Sequence, residues 1–162
     1  MNENEIRKAK ALYRRYGEAL LRDKHLAKLL RRYRSSIETT WETMRADGVV
    51  EICTVCSGRK AGSCCFKGAE LWYDTVLLLI NLLLGVELPD SRDISNGCRF
   101  VGDRGCRLLA RYYFCINYLC PEIKESIEPS RQKNLMAVAG REIGCGLEVE
   151  EAVRRWINTK TA

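Results

Sequence analysis

Leu71–Leu84 reads LWYDTVLLLINLLL and is closed by Gly85. From Val76 to Leu84 it is apolar nearly all round, the pattern of a helix buried on several sides rather than one lying on a surface. Its 14 residues fall short of the roughly 20 needed to cross a bilayer core, and it carries Asp74 and Asn81. The expectation is therefore the central helix of a folded core ended by Gly85, with no membrane span. A chain of 162 residues is one domain of ordinary size around such a core.

Upstream, Ile6, Ala9, Leu12, Tyr13, Tyr16 and Leu20, then Leu26, Leu29, Leu30, Tyr33 and Ile37, recur at three- and four-residue steps. This predicts one long amphipathic helix, or two joined near Asp23. A shorter helix is expected over 36–45, carrying Trp41 and Met44 and broken by Asp47-Gly48. Met1–Arg34 holds 11 Lys/Arg against 4 Asp/Glu, so the whole positive excess of a +6 chain sits in this 1–46 segment.

Downstream, Glu87–Gly97 is rich in turn residues and reads as an exposed connection. CRFVGDRGC (98–106) reads as a tight turn. A helix is expected from Arg107 to Leu119, stopped at Cys120-Pro121. Over 129–158 the pattern is a helical pair. Pro129-Ser130 opens the first helix, with Leu135, Met136, Ala139 and Ile143 on one face, and Gly144-Cys145-Gly146 breaks the chain. Val149, Val153, Trp156 and Ile157 mark the second. The fold class is all-α: a single-domain helical bundle with a cysteine-rich metal-binding loop region around the buried central helix, that region spanning 49–121.

Nine cysteines are several times ordinary intracellular usage. The N-terminal residues are charged at every turn and lack the apolar stretch of a secretory signal, so a cytoplasmic location is expected. In that reducing setting clustered cysteines serve metals or chemistry more often than disulfides. Eight fall into two groups of four flanking the leucine run: Cys53, Cys56, Cys64 and Cys65, then Cys98, Cys106, Cys115 and Cys120. The first group crowds into a glycine- and serine-rich stretch, 49–68, with no helical periodicity, and reads as a loop that a thiolate-bound metal would order. Structural zinc usually pairs two short Cys-x2–4-Cys knuckles; here there is one Cys-x2-Cys and a looser Cys-x4-Cys. The vicinal pair reaches one small ion awkwardly, and a larger iron–sulfur cluster suits scattered ligands. Both zinc and iron–sulfur stay open, with a lean to iron–sulfur. Cys145, between glycines, is set apart from these groups.

The order of CTVCSGRKAGSCC, CRFVGDRGC and LARYYFCINYLC resembles the CxxCxxCC (YkgJ-type) family of zinc- or iron-chelating domains, related to a domain of flagellin lysine N-methylases. The resemblance runs from about Cys53 to Cys120 and implies a metal site built by these cysteines. It departs from the family in the seven residues between Cys56 and Cys64, and in Arg111 being followed by tyrosine rather than proline.

Other candidates are sparser. Glu70 and Asp74 stand i, i+4 in the expected central helix, placed to ligate a metal, balance arginines or favour the helix dipole. Asn81, if buried, needs a partner, and a loop backbone is the expected one. His25 is the single histidine, set among basic residues and expected at the surface. No HExxH, phosphate-binding loop or dinucleotide fingerprint is present, so catalysis, in the alternative reading of a metal-dependent enzyme of methyltransferase type, would have to come from the metal site. Arg14, Arg15, Arg31 and Arg32 lie on a polar helical face that fits nucleic acid or an acidic protein. The spacing of Tyr112, Tyr113, Phe114 and Tyr118 places them in the core first.

Overall fold

The computed structural model describes residues 2–57 and 64–161. Two helices open the chain, α1 (Asn2–Arg22) and α2 (Lys24–Ala46). Their junction is Asp23, whose carboxylate accepts the Leu26 N–H at 2.9 Å, an N-cap that starts α2. The separate helix expected over 36–45 is instead the end of α2. The hydroxyls of Ser36, Thr39, Thr40 and Thr43 donate to carbonyls of the preceding turn, so this polar run continues the helix rather than competing with it.

Gly48, at φ 72°, turns the chain into α3 (Val49–Ser57). The first cysteines thus stand on a helix where a loop was expected. Val49 is buried against Met44, Ile123, Ile127 and Leu135, with Val50, Ile52 and Cys53 packed on the same small cluster, and this burial organises the segment. Residues 58–63 of the expected loop lie outside the described residues.

The central helix is shorter than expected. A 3-10 turn covers Ala69–Trp72, and α4 spans Thr75–Leu83. Asp74 is its N-cap, accepting the Leu77 N–H at 2.8 Å, so Glu70 and Asp74 do not share a helical face. Val76–Asn81 and Leu83 are buried. Gly85 (φ 83°) ends the helix, and the Arg34 guanidinium donates to the Leu84 carbonyl. A hairpin follows, β1 (Val101–Gly102) and β2 (Gly105–Cys106), pairing Val101 with Cys106 and Gly102 with Gly105.

The helix expected over 107–119 shrinks to α5 (Tyr113–Asn117). Asn81 is the physical reason. Its amide donates to the Ala110 carbonyl (2.8 Å), and its oxygen accepts the N–H groups of Leu109 and Ala110, both at 3.0 Å. Those backbone groups are thereby committed to α4 rather than to a helix of their own. Cys120 then precedes α6 (Pro121–Ser126), with Pro121 in the first turn, so this proline starts a helix as well as ending a segment. The C-terminal pair is one unbroken helix, α7 (Pro129–Thr161). A β-carbon on Gly146 would lie 3.0 Å from the Tyr33 hydroxyl, so this glycine serves close α2–α7 packing instead of a break.

α1 packs on α4, α2 packs on α7, and α4 touches α7. The main core gathers Leu20, Leu26, Ile37, Leu78–Ile80, Phe100, Leu108, Val149 and Val153. Among the described residues no helix is long and apolar enough to cross a membrane.

Candidate functional site

Cys53, Cys56, Cys64, Cys65, Cys98, Cys106, Cys115 and Cys120 all line one cavity, at the meeting of α3, the hairpin, α5 and the start of α6. All nine cysteines are free thiols. The ninth, Cys145, packs against the main core from α7 beside Arg32. The cavity has about 100 Å³ of water-accessible space, with Met44, Val49, Ile52, Ile116 and Ile123 in its walls, room for several waters.

The cysteines are placed by their local structure. Cys53 and Cys56 stand three residues apart on α3, on one face. The Cys65 carbonyl accepts the Cys98 N–H at 2.7 Å, and Phe66 bridges Gly97, which ties the vicinal pair to the segment leading into the hairpin. Cys106 ends β2. The Tyr73 hydroxyl donates to the Cys115 sulfur at 3.8 Å and accepts the Tyr112 N–H at 3.1 Å. Cys120 is the residue before α6.

Several of the thiols resist ionisation. Burial pushes Cys53 up to about 11, Cys98 to about 12 and Cys115 to about 11, and also raises Cys106. Neighbouring sulfurs add repulsion: Cys64, Cys120 and Cys56 at Cys53, Cys106 and Cys115 at Cys98, and Cys106 and Cys64 at Cys115. Within the vicinal pair the Cys65 thiol donates to Cys64, bringing Cys64 down to about 7 and driving Cys65 upward. Arg111 works against the rise at Cys53, Cys106 and Cys115.

Arg111 lines the cavity and is itself buried, as is Glu142 of α7. The two form an ion pair at 3.7 Å, and the guanidinium lies 4.6 Å from the Trp41 ring centre. Among the described residues, Arg111 Nε and Nη2 and both Glu142 oxygens lack a hydrogen-bond partner within normal geometry. Burial raises the Glu142 carboxyl, and Arg111 opposes it. The sequence reading does not single out Glu142 as a site residue. The available signal is a carboxylate seven residues after Leu135, on the same buried stripe of α7.

Glu70 and Asp74 face arginines, outside the cavity. Arg92 reaches Glu70 at 2.5 Å, and Arg154 pairs with Asp74. Burial works to raise Glu70, but the Arg92 and Gly68 donors prevail and bring it to about 2. His25, Arg14, Arg15, Arg31 and Arg32 are exposed; Arg32 is paired with Glu148, and Arg15 lies 5.0 Å over Tyr16. The aromatic run is not all core: Tyr113 is 53% and Tyr118 42% exposed, and Phe114 stacks on Tyr118 at 4.7 Å.

Among the described residues, no three His, Cys, Asp or Glu side chains are arranged to hold a metal ion. The chemistry of the donor set nonetheless suits one. The walls offer eight soft sulfurs, and the buried Arg111 cation, two of whose nitrogens make no hydrogen bond among the described residues, is placed to balance thiolate charge. One χ1 step moves a cysteine sulfur by about 3 Å, so ligand side chains can shift by rotation without moving the backbone. No family model matches the chain, and no curated protein or solved structure matches it either.

Proposed function

We propose that this is a metal-binding protein whose eight cavity cysteines hold zinc or an iron–sulfur cluster, for structure or for electron or metal handling. The carrying observation is that residues spread from Cys53 to Cys120 line a single cavity while Cys145 stays outside it. Mostly half-buried free thiols crowded around one cavity are poor core filler but are ordinary metal ligands once deprotonated. The resemblance to CxxCxxCC chelating domains points the same way. Iron–sulfur is favoured over zinc because the ligands are scattered and vicinal rather than paired in short knuckles.

The test is metal analysis with an absorption spectrum on anaerobically purified protein. Stoichiometric iron with a brown chromophore, or zinc without colour, supports the reading. A folded, metal-free chain that takes up neither rejects it.

A further inference from the structure

The eight cysteines line one cavity, but they do not belong to one body of the fold. Cys53 and Cys120 pack on the small cluster around Met44, Val49 and Ile123. Cys65, Cys98 and Cys106 pack on the main core. Cys115 joins the latter set through Tyr73, a main-core residue whose hydroxyl donates to its sulfur. Cys65 is held to it as well, by the 2.7 Å bond from the Cys98 N–H to its carbonyl. Cys56 stands one turn after Cys53 on the same face of α3.

Resting on the metal reading, we infer that the cavity holds two thiophilic metal centres: one on Cys53, Cys56, Cys64 and Cys120, the other on Cys65, Cys98, Cys106 and Cys115. The boundary is the peptide bond between Cys64 and Cys65. This division cuts across chain order, in which Cys64 goes with Cys65 and Cys120 goes with Cys98. It also removes the difficulty that two adjacent side chains leave the backbone in different directions, since each serves its own centre. Cys64 is the nearest thing to a shared ligand. It lines the cavity that both sets share, and it completes the first set because the second already has four.

The experiment uses the full chain, stripped and reduced, titrated with Co²⁺ and read by thiolate-to-cobalt absorption, with far-ultraviolet circular dichroism as the check of fold. The wild type is expected to take about two equivalents. Cys53→Ser/Cys120→Ser should retain one tetrahedral thiolate centre, and Cys98→Ser/Cys120→Ser should retain none. Chain-order grouping gives the reverse for both pairs, and that result overturns the division. So does a single substitution that abolishes all cobalt binding, which indicates one shared centre. If a double variant fails to fold, the wild type decides. Given one equivalent of Zn²⁺ and then alkylated, it should show protection that rises and falls together within each set of four and not across Cys64-Cys65. Two equivalents with chain-order behaviour reject the division alone, whereas a wild type that takes up neither cobalt nor zinc and reconstitutes no iron–sulfur cluster under anaerobic conditions rejects the metal reading with it.

Discussion

Replacing Asn81 by leucine keeps approximate volume but deletes the clasp that fixes 109–110 to α4. Asn81 is fully buried, and its loss strands the N–H groups of Leu109 and Ala110 and the Ala110 carbonyl. Each unsatisfied buried group costs about 1–3 kcal/mol, so three cost about 3–6 kcal/mol after partial relaxation. The added apolar side chain returns about 1–2 kcal/mol. A net loss of about 1–5 kcal/mol is expected, a large share of a typical domain's stability of about 5–15 kcal/mol. Urea unfolding followed by circular dichroism measures it, with Leu78→Met as a volume-conserving control that should cost under about 1.5 kcal/mol. Because the clasped segment runs directly into Arg111 and Cys115, metal uptake should weaken with stability. If Asn81→Leu costs less than about 1 kcal/mol, the 109–110 backbone has other partners and the reasoning about why this segment is not helical is wrong.

Arg111→Met leaves Glu142 buried without its cation and should cost about 3–5 kcal/mol, most of it recovered in Arg111→Met/Glu142→Leu; equal loss in the single and double variants, by chemical denaturation, refutes the pairing. Gly146→Ala forces a β-carbon to 3.0 Å from the Tyr33 hydroxyl and should lose about 1–3 kcal/mol despite alanine's better helix propensity; Tyr33→Phe/Gly146→Ala should regain part of it. The metal-free chain should lose stability with rising pH. The thiols of Cys53, Cys98 and Cys115 titrate near 11 to 12 while unfolded ones titrate at about 8.5, so the stability these three contribute is whole below about pH 8.5 and drains away above it. Urea midpoints that stay flat from about pH 8 to 10 contradict that. Cys145→Ser, outside the cavity, should leave metal content unchanged by elemental analysis.

The helical character of the chain, the joint at Asp23, the stop at Gly85 and the tight turn at 98–106 are legible because each rests on local chemistry: a cap, a left-handed glycine or an apolar stripe. The errors share a cause, which is that distant partners override local signals. Gly144 and Gly146 look like breakers until Tyr33 packs against the second. Arg107–Tyr112 looks helical until Asn81 claims its backbone. Val49–Ser57 looks irregular because its cysteines obscure an apolar face that only α6 and α7 complete. The candidate cysteines are identifiable from their number and clustering, and Cys145 stands outside the cavity they line. The pairing of Arg111 with Glu142 is not legible, since nothing local relates residues on α7 to the segment before α5.

The thiol cavity sits on the seam between a large apolar body and a minor one built from the end of α2, α3, α6 and the start of α7. A filler seated at that seam acts as glue between two lobes of unequal strength. Without it, the minor lobe is the cheapest part of the molecule to swing open, since its own cluster is only a handful of side chains. Such an opening would expose the already half-exposed sulfurs further to oxidants and alkylating reagents without global melting, and the bundle of α1, α2, α4 and α7 would stand as a frame to which the lobe can return.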